Sequence, residues 1–542
     1  MDPPPKIAVI GLDGATFRVL DPLIKAGAMP GLAILRERGL EATLRSTVPA
    51  YTPPAWVSMI TGVNPGRHNI FGFLSSTPQE PPAIAHSGLI DTPAMWRYLE
   101  QLGLKTGVFN VPMTYPPTQV DGFLISGGIA SGWTNPEQPN FAYPQEMGRL
   151  VMDAVGTQYP LDTVVSYEND WRSPSTVTSI KKVQQLRRRA IGALIENTGP
   201  DAVFAVFEGP DRIQHLFYQY VVECSDWYGR PEASEFRDRI FDYFGELDHV
   251  VKDLAEWAGR DGHVFIVSDH GFGPWEKTLN INLLLAEWGF LKLPSLSRLT
   301  RLGPVAGAGQ RIARRMIPRR WLHVAKAKVL KGIVWDNTRA FASHIAEQGI
   351  HVNEQEVFRK GIVPRSDVKS VEDELLERLM DLRDPDDGQL VTDRVFRRDD
   401  VIHGPHALRA PSLFPICRDQ RYELSDTVAA TSAFTDHRDR PWGYHHTDGI
   451  FIACGPDVAK GKLASGLDIV DVLPNVFHAA GLSIPSGLDG RVVTELFTGA
   501  TASRPVRTFD VEHEPRRSDE DPYTPGEQAA IEEALRGLGY IE

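Results

Sequence analysis

KIAVIGLDG (residues 6–14) is a compact apolar run that ends in small and acidic residues. A buried strand of a parallel sheet reads this way as it emerges at its carboxyl end. Similar runs recur at DAVFAVFEG (201–209), GHVFIVSDHG (262–271) and DGIFIACGP (448–456), with weaker ones at KTGVFNVP (105–112) and GFLISGG (122–128). Helical patterns lie between them, at 93–102, 178–195, 235–258 and 469–481. Strands alternating with helices over this length predict an open α/β sheet covered on both faces. Ligands of such sheets bind beyond the carboxyl ends of the strands.

One stretch interrupts the alternation. Residues 276–440 contain few clean strand–helix pairs and carry a basic, Gly/Pro-punctuated amphipathic segment at 297–332 inside an otherwise acidic chain. The segment reads as the solvated face of an inserted cap; the alternatives are a funnel for an anionic substrate or a contact with an acidic membrane. The predicted organisation is an α/β core over 1–275 and 441–508, an inserted cap over 276–440, and a linker with a docked terminal helix over 509–542. In that helix Thr524 caps, Pro525 takes the first helical position and Glu527 completes a capping box.

With 542 residues, 42% of them hydrophobic and 23% charged, the chain can bury a large core. A net charge of −13 argues against nucleic acid as the main partner, since proteins that track phosphates show a basic excess. The three cysteines, Cys224, Cys417 and Cys454, lie far apart and give no disulfide framework or thiolate zinc site. Neither a signal-peptide pattern nor a bilayer-length apolar run is visible, and the expectation is a soluble cytoplasmic protein.

The candidate strand ends carry polar residues of one chemical kind. Asp13 ends the first run, and Thr52 in TPPAWVSMITG follows the next long connection. FEGPDRIQHLF carries Asp211 and His215, four apart and therefore on one face of a helix. FIVSDHGFG carries Asp269 and His270 at a strand-to-loop turn that Gly271 and Gly273 allow to be tight. His445 and His446 stand directly before the strand at 448–456. Carboxylates and imidazoles in this mixture suit Zn²⁺ and its borderline neighbours. Each piece alone has an ordinary reading: a helical ion pair for Asp211 and His215, a turn for Asp13 and for the DHG triplet, a satisfied pair for the two histidines, a helix cap for Thr52.

Together, GLDGAT, TPPAWVSMITGVNPGRHNIFGF, NVPMTYPP, DRIQHLF, SDHGFG and GYHHTDGIFIACGP resemble the nucleotide pyrophosphatase/phosphodiesterase-like branch of the alkaline phosphatase superfamily. The resemblance runs from Ile7 to about residue 495, and the terminal ALRGLGY is similar to this branch as well. It implies a three-layer α/β/α sandwich with an inserted cap, holding two divalent metals. Asp13, Asp269 and His270 would hold one ion, with Thr52 reaching it. Asp211, His215 and a histidine of the 445–446 pair would hold the other, and the family spacing of HHTDG selects His445. Zinc fits the histidine count; manganese and iron also take such mixed sites. In nucleotide pyrophosphatases an asparagine about twenty residues beyond the threonine donates to a phosphate oxygen. Counting along GRHNIFGFL reaches Phe73, which cannot donate, and Asn69 is out of register. Backbone amides after Thr52, or a residue of the insertion, are the expected substitutes.

The implied activity is metal-dependent hydrolysis of a small-molecule phosphoester through a phosphothreonine on Thr52. A threonine hydroxyl is scarcely ionised at neutral pH, and contact with a dication favours its alkoxide. Apolar residues near it (PPAWVSM, Phe71, Phe73 and Tyr115–Pro117), with no arginine placed by motif, favour a diester; Arg67 and the basic insertion are the cations that favour a monoester. Phosphoryl or phosphoalcohol transfer and a non-catalytic, metal-stabilised binding protein are the rival readings. A sulfatase would need C/S-x-P-x-R where Thr-Pro-Pro-Ala-Trp stands.

Overall fold

The computed structural model describes residues 5–75, 79, 83–128, 140–156, 159–163, 165–166, 169–294, 333–342, 348–511 and 522–537. Ile7–Leu12 lies near the middle of a nine-stranded sheet, parallel to Ala202–Phe207 on one side and His263–Val267 on the other. Beyond Ala202–Phe207 come Thr106–Val111 and Gly122–Ser126, both parallel, and then the antiparallel edge Ala142–Tyr143. Beyond His263–Val267 come Asp448–Cys454, Leu40–Arg45 and Gly461–Asp468. The six strand runs predicted from sequence all pair here. The parallel direction expected for 448–456 is wrong: Asp448–Cys454 runs antiparallel to both His263–Val267 and Leu40–Arg45.

Alternate residues of the central strand feed two different layers, as the two-residue period of a strand requires. Ala8, Ile10 and Leu12 pack under helices that include Ser175–Thr198 and Ala233–Ala258, through residues such as Ile191, Leu247 and Val251. Ile7 and Val9 pack on the opposite side against Trp56 and Ile60 of the helix Thr52–Thr61 and Val472 and Val476 of Val472–Ala479. The result is a three-layer α/β/α sandwich. Each large aliphatic side chain buried in these layers contributes roughly 1.5–3 kcal/mol. Gly11 marks where the layers come closest, since a Cβ there would stand 2.4 Å from the Trp56 ring.

Residues 277–436 carry a second apolar cluster. It joins Ile281, Leu284 and Leu285 to Phe341, Val352, Leu375, Leu379 and Leu413. Its elements are a four-stranded antiparallel sheet (Ala340–Ala342, Ile350–Val352, Leu413–Cys417, Thr392–Arg397), the helix Arg365–Met380, and a small sheet around Lys277–Asn280. A buried ion pair with an exposed third member ties this part together: Nζ of Lys277 donates to buried Asp384 at 2.7 and 2.8 Å and to exposed Asp386 at 2.7 Å. The segment 401–409 docks on the loop that follows Thr52–Thr61. Asn64 donates to the Val401 carbonyl at 2.7 Å, and His406 donates from its backbone to Gly66 O at 2.8 Å. The basic segment 297–332 lies outside the described residues.

The capping box anticipated at Thr524 is present: its backbone N–H donates to Glu527 at 2.8 Å, and Glu527 N–H donates to Oγ1 of Thr524 at 3.3 Å. The helix Pro525–Gly537 buries Ile531 and Leu535 in the first core cluster, and Tyr523 stacks on Tyr115. Among the described residues no helix is long and apolar enough to cross a membrane. The cysteines are free, as their spacing predicts.

Candidate metal centre

The carboxyl ends of the three central parallel strands deliver the acidic residues. Asp13 extends Ile7–Leu12, its backbone N–H still donating to Phe207 O at 3.1 Å. Ala202–Phe207 leads into the helix Gly209–Val221, whose first turn presents Asp211 and, one turn on, His215. His263–Val267 leads into Asp269 and His270. Ser268 pins that turn, donating to Ala15 O at 2.9 Å and accepting from Ile450 N–H at 2.8 Å. His445 arrives from the short strand Gly443–His446, paired with Gly271–Pro274 just before Asp448–Cys454. Because Asp448–Cys454 is antiparallel, its beginning lies at the edge where its neighbours end. A parallel strand would have carried His445 to the far side of the sheet.

Oδ1 of Asp211 stands 3.3 Å from Nε2 of His215 and 3.4 Å from Nε2 of His445, and the two imidazole nitrogens are 2.9 Å apart. Beside this trio, Nε2 of His270 lies 3.7 Å from Asp13, 3.3 Å from Asp269 and 4.0 Å from Asp211. Potential ligand atoms of Asp13, Asp269 and His270 fall within 4.8 Å of one another, as do those of Asp211, His270 and His445. Thr52 completes the set, with Oγ1 3.3 Å from Nε2 of His270. All seven side chains are buried.

Three observations test whether these residues fit divalent ions. Each imidazole has its Nδ1 against a backbone carbonyl: His215 on Gly443 at 3.3 Å, His270 on Gly271 at 3.2 Å, His445 on Ala50 at 3.2 Å. A carbonyl only accepts, so Nδ1 carries the proton and Nε2 turns a lone pair inward, the arrangement found behind metal-binding histidines. Two such lone pairs facing each other at 2.9 Å repel unless a cation lies between them. Second, Oδ1 of Asp13, Oδ1 of Asp211 and Oδ2 of Asp269 are buried and accept no hydrogen bond among the described residues. Third, the charges do not balance without added cations. Burial, then the charges of Asp269 and Asp211, push the Asp13 carboxyl well above the usual range. Burial raises Asp269 to about 8. At Asp211 burial also pushes upward, but His215, His445 and Arg212 together outweigh it and hold the carboxyl well below the ordinary value. Burial lowers His270 well below its usual value and His445 to about 4, which keeps both neutral. Three buried carboxyl groups facing imidazoles form a donor set of the hard and borderline kind that divalent ions occupy.

His446 faces away. Its Nδ1 accepts from Asp448 N–H at 3.1 Å, and its Nε2 lies 3.5 Å from Asp419. Adjacent residues of a strand point to opposite faces, so the pair could never have acted together. The glycines of SDHGFG also divide. A Cβ on Gly271 would lie 2.0 Å from the Asp448 carbonyl oxygen, whereas at Gly273 the nearest atom would be 3.7 Å away. The need is for close approach at one glycine, not for a tight turn at both.

Thr52 is not a cap. Tyr51 occupies the cap position, and its side chain makes no capping hydrogen bond. The amides expected to cradle an anion are also missing, because Pro53 and Pro54 have no N–H and Ala55 N–H donates to Tyr51 O at 3.0 Å. Of the first turn, the N–H of Thr52 itself remains.

A cleft opens at this hydroxyl, lined by Asp13, Thr52, Phe73, Asn110, Leu161 and Arg212, with Pro112, Gly128, Asp162 and Glu208 around them. Of the apolar residues expected here, Phe73 is present. Phe71 instead packs against the cluster of Ile402, Ala410 and Phe414, and Tyr115 lies under Tyr523. Arg67 is turned outward to Asp489 at 2.7 Å. The cleft's arginine is Arg212, missed because it reads as a spacer inside DRIQH. It donates to Asp211 at 2.7 Å and to Asp162 at 3.2 Å.

Among curated proteins none matches the chain significantly. Of solved structures, phosphonoacetate hydrolase from Sinorhizobium meliloti 1021, in complex with phosphonoformate, is 17% identical with a TM-score of 0.51, covering 88% of this chain and 97% of its own; it has the same fold. Murine ectonucleotide pyrophosphatase/phosphodiesterase 5, an inactive form in complex with AMP, is 13% identical with a TM-score of 0.47 over 91% of this chain and all of its own. The sequence profile of the type I phosphodiesterase/nucleotide pyrophosphatase family matches residues 7–430. The chain therefore belongs to that family, a branch of the alkaline phosphatase superfamily whose members are divalent-metal-dependent phosphoester hydrolases.

Proposed function

We propose that the chain is a two-metal phosphodiesterase that acts through a phosphothreonine on Thr52. The observation that carries this reading is the 3.3 Å approach of the Thr52 hydroxyl to His270 inside a ring of buried carboxylates and Nε2 lone pairs. Asp13, Asp269, His270 and the Thr52 oxygen would hold one ion; Asp211, His215 and His445 would hold the other. When bound, two such ions favour the ionised hydroxyl and offset the charge spread over the phosphoryl group. Zinc suits the three imidazoles, and manganese or iron takes the same set.

The chain's own residues supply the rest. Thr52 sits on the first turn of a fully buried helix, so its oxygen is held in place before substrate arrives. Oγ1 bonds to phosphorus as one ester bond breaks and its alcohol departs. Water then cleaves the phosphothreonine, giving a phosphomonoester and the free hydroxyl. Phe73, Pro112 and Leu161 give the cleft an apolar side for a second substituent. The charge of Arg212 is already matched by Asp162 and Asp211, so the extra negative charge of a monoester gains little there. Both features favour the diester.

The test is hydrolysis of bis(4-nitrophenyl) phosphate and of 4-nitrophenyl phosphate by metal-loaded protein, before and after chelation. Diester turnover that disappears with the metals and returns on their readdition is the expected result. A large preference for the monoester overturns the diester assignment. Metal-loaded protein inert to both esters overturns the activity itself.

A further inference from the structure

We infer that Asn110 supplies the side-chain donor to a non-bridging phosphoryl oxygen at Thr52, replacing the asparagine that relatives carry about twenty residues beyond the threonine. The inference rests on the proposed phosphoester reaction and identifies a substrate-contacting group within it. At the usual position stands Phe73, which lines the cleft and packs edge-on against Tyr51 at 5.6 Å. The helix start offers only the Thr52 N–H, because two prolines follow it. A phosphoryl group placed there therefore has one backbone donor from the helix and no side-chain donor at the usual position.

Asn110 comes from a different strand, near the end of Thr106–Val111, and lines the same cleft. Its backbone is left-handed, with φ at 54°. Asparagine tolerates that region better than most residues. The pairing with Gly122–Ser126 shifts register between Phe109 and Val111, so Asn110 is the extra residue of a bulge. Bulges re-aim a side chain that a regular strand would commit to one face of the sheet. Gly127 makes room for it, since a Cβ there would lie 2.0 Å from the Asn110 carbonyl.

The amide is also oriented. Tyr159 donates its phenolic O–H to Oδ1 of Asn110 at 3.0 Å. The phenol donates to Asn110 while its oxygen accepts from Arg187, which is itself paired with Glu208 in the buried layer. This relay fixes Oδ1 against Tyr159 and leaves Nδ2 as the free end. Nδ2 is buried and has no acceptor among the described residues. A buried donor without a protein partner is unfavourable unless a ligand or a water supplies the acceptor. A phosphoryl oxygen is an acceptor of that kind.

Asn110→Ala removes the donor. Asn110→Asp is the control for folding, because it retains the acceptor for Tyr159 and tolerates the left-handed backbone while replacing N–H with an oxygen. For both variants kcat/KM with bis(4-nitrophenyl) phosphate should fall roughly 10²–10³-fold. Inorganic phosphate, titrated calorimetrically into metal-loaded protein, should bind at least about tenfold more weakly, with metal content unchanged. Tyr159→Phe frees the amide without removing it and should show a smaller loss in both measurements. Phosphate affinity and turnover of Asn110→Asp within about threefold of the parent would overturn the inference. If the parent hydrolyses no diester, the proposed function fails, and the phosphate titration alone then decides the role of Asn110.

Discussion

The Thr52 hydroxyl lies 3.3 Å from Nε2 of His270, across 218 positions of sequence. The strand Ile7–Leu12 stands between the two segments in the sheet's architecture: Trp56, one turn after Thr52, packs on its face and donates to Asp13 at 3.4 Å. His270 follows the neighbouring strand. The approach is thus set by packing of the buried helix and by strand register, and not by the hydroxyl itself.

Replacing Thr52 with Ala should therefore leave the fold and the metal content intact. Diester turnover should fall by at least about a thousandfold, in line with losses seen when a nucleophile is removed. Thr52→Ser keeps an oxygen and should retain a measurable rate. Metal analysis alongside steady-state kinetics checks both. An alanine variant that turns over at the parent's rate removes Thr52 from the mechanism.

The adjacent histidines give a second contrast. His445→Ala should reduce bound metal from about two ions per chain to about one, because the trio with Asp211 and His215 loses a ligand. His446→Ala should keep both, since that ring contacts Asp448 and Asp419 outside the cluster. Elemental analysis after dialysis reads the difference, and equal losses in the two variants would contradict the assignment.

Gly271 and Gly273 should respond differently to the same methyl group. Gly271→Ala forces a contact with the Asp448 carbonyl in both backbone and register, displacing His270 and His445 together. We expect a loss of several kcal/mol in stability, as for other overpacked core sites. Gly273→Ala meets nothing closer than 3.7 Å and should stay within about 0.5 kcal/mol of the parent. Thermal unfolding of the two proteins decides it.

A pH prediction follows from Glu423, which burial raises to about 8. Native Glu423 keeps its proton until near pH 8, while the unfolded chain releases it near its ordinary value. Between these limits the native state binds more protons, so this group's contribution to stability falls as pH rises. Glu423→Gln has no such proton to lose. Its melting temperature relative to the parent should increase from about pH 5 to about pH 8 and then level off. A difference that is flat or opposite in slope across that range refutes a protonated native Glu423.

How much of this was legible depended on what each residue's neighbours could show. Ile7–Leu12, Ala202–Phe207 and His263–Val267 are buried along their whole length, and a continuous apolar run announces such strands. Leu40–Arg45 carries Glu41 and Arg45 toward the sheet's partly open side, and most of Gly461–Asp468 is exposed, so neither shows that run. Strand direction left no trace in the pattern at 448–454, and direction is what brings His445 to the cluster. The metal-ligand candidates were found because aspartate and histidine at strand ends are chemically conspicuous. Asn110 and Arg212 were not, since one sits within an apolar run and the other between two stronger signals. The alternation rule could have shown that only one of His445 and His446 could join, though not which.

The antiparallel strand also constrains the order in which the molecule can be completed. Asp448–Cys454 inserts between His263–Val267 and Leu40–Arg45, so Leu40–Arg45 has no place in the sheet until residues near 450 have been synthesised. A growing chain that has finished 277–436 still exposes the backbone edge of His263–Val267 and lacks the last imidazole. During translation the seven candidate side chains thereby cannot all meet until most of the polypeptide has left the ribosome.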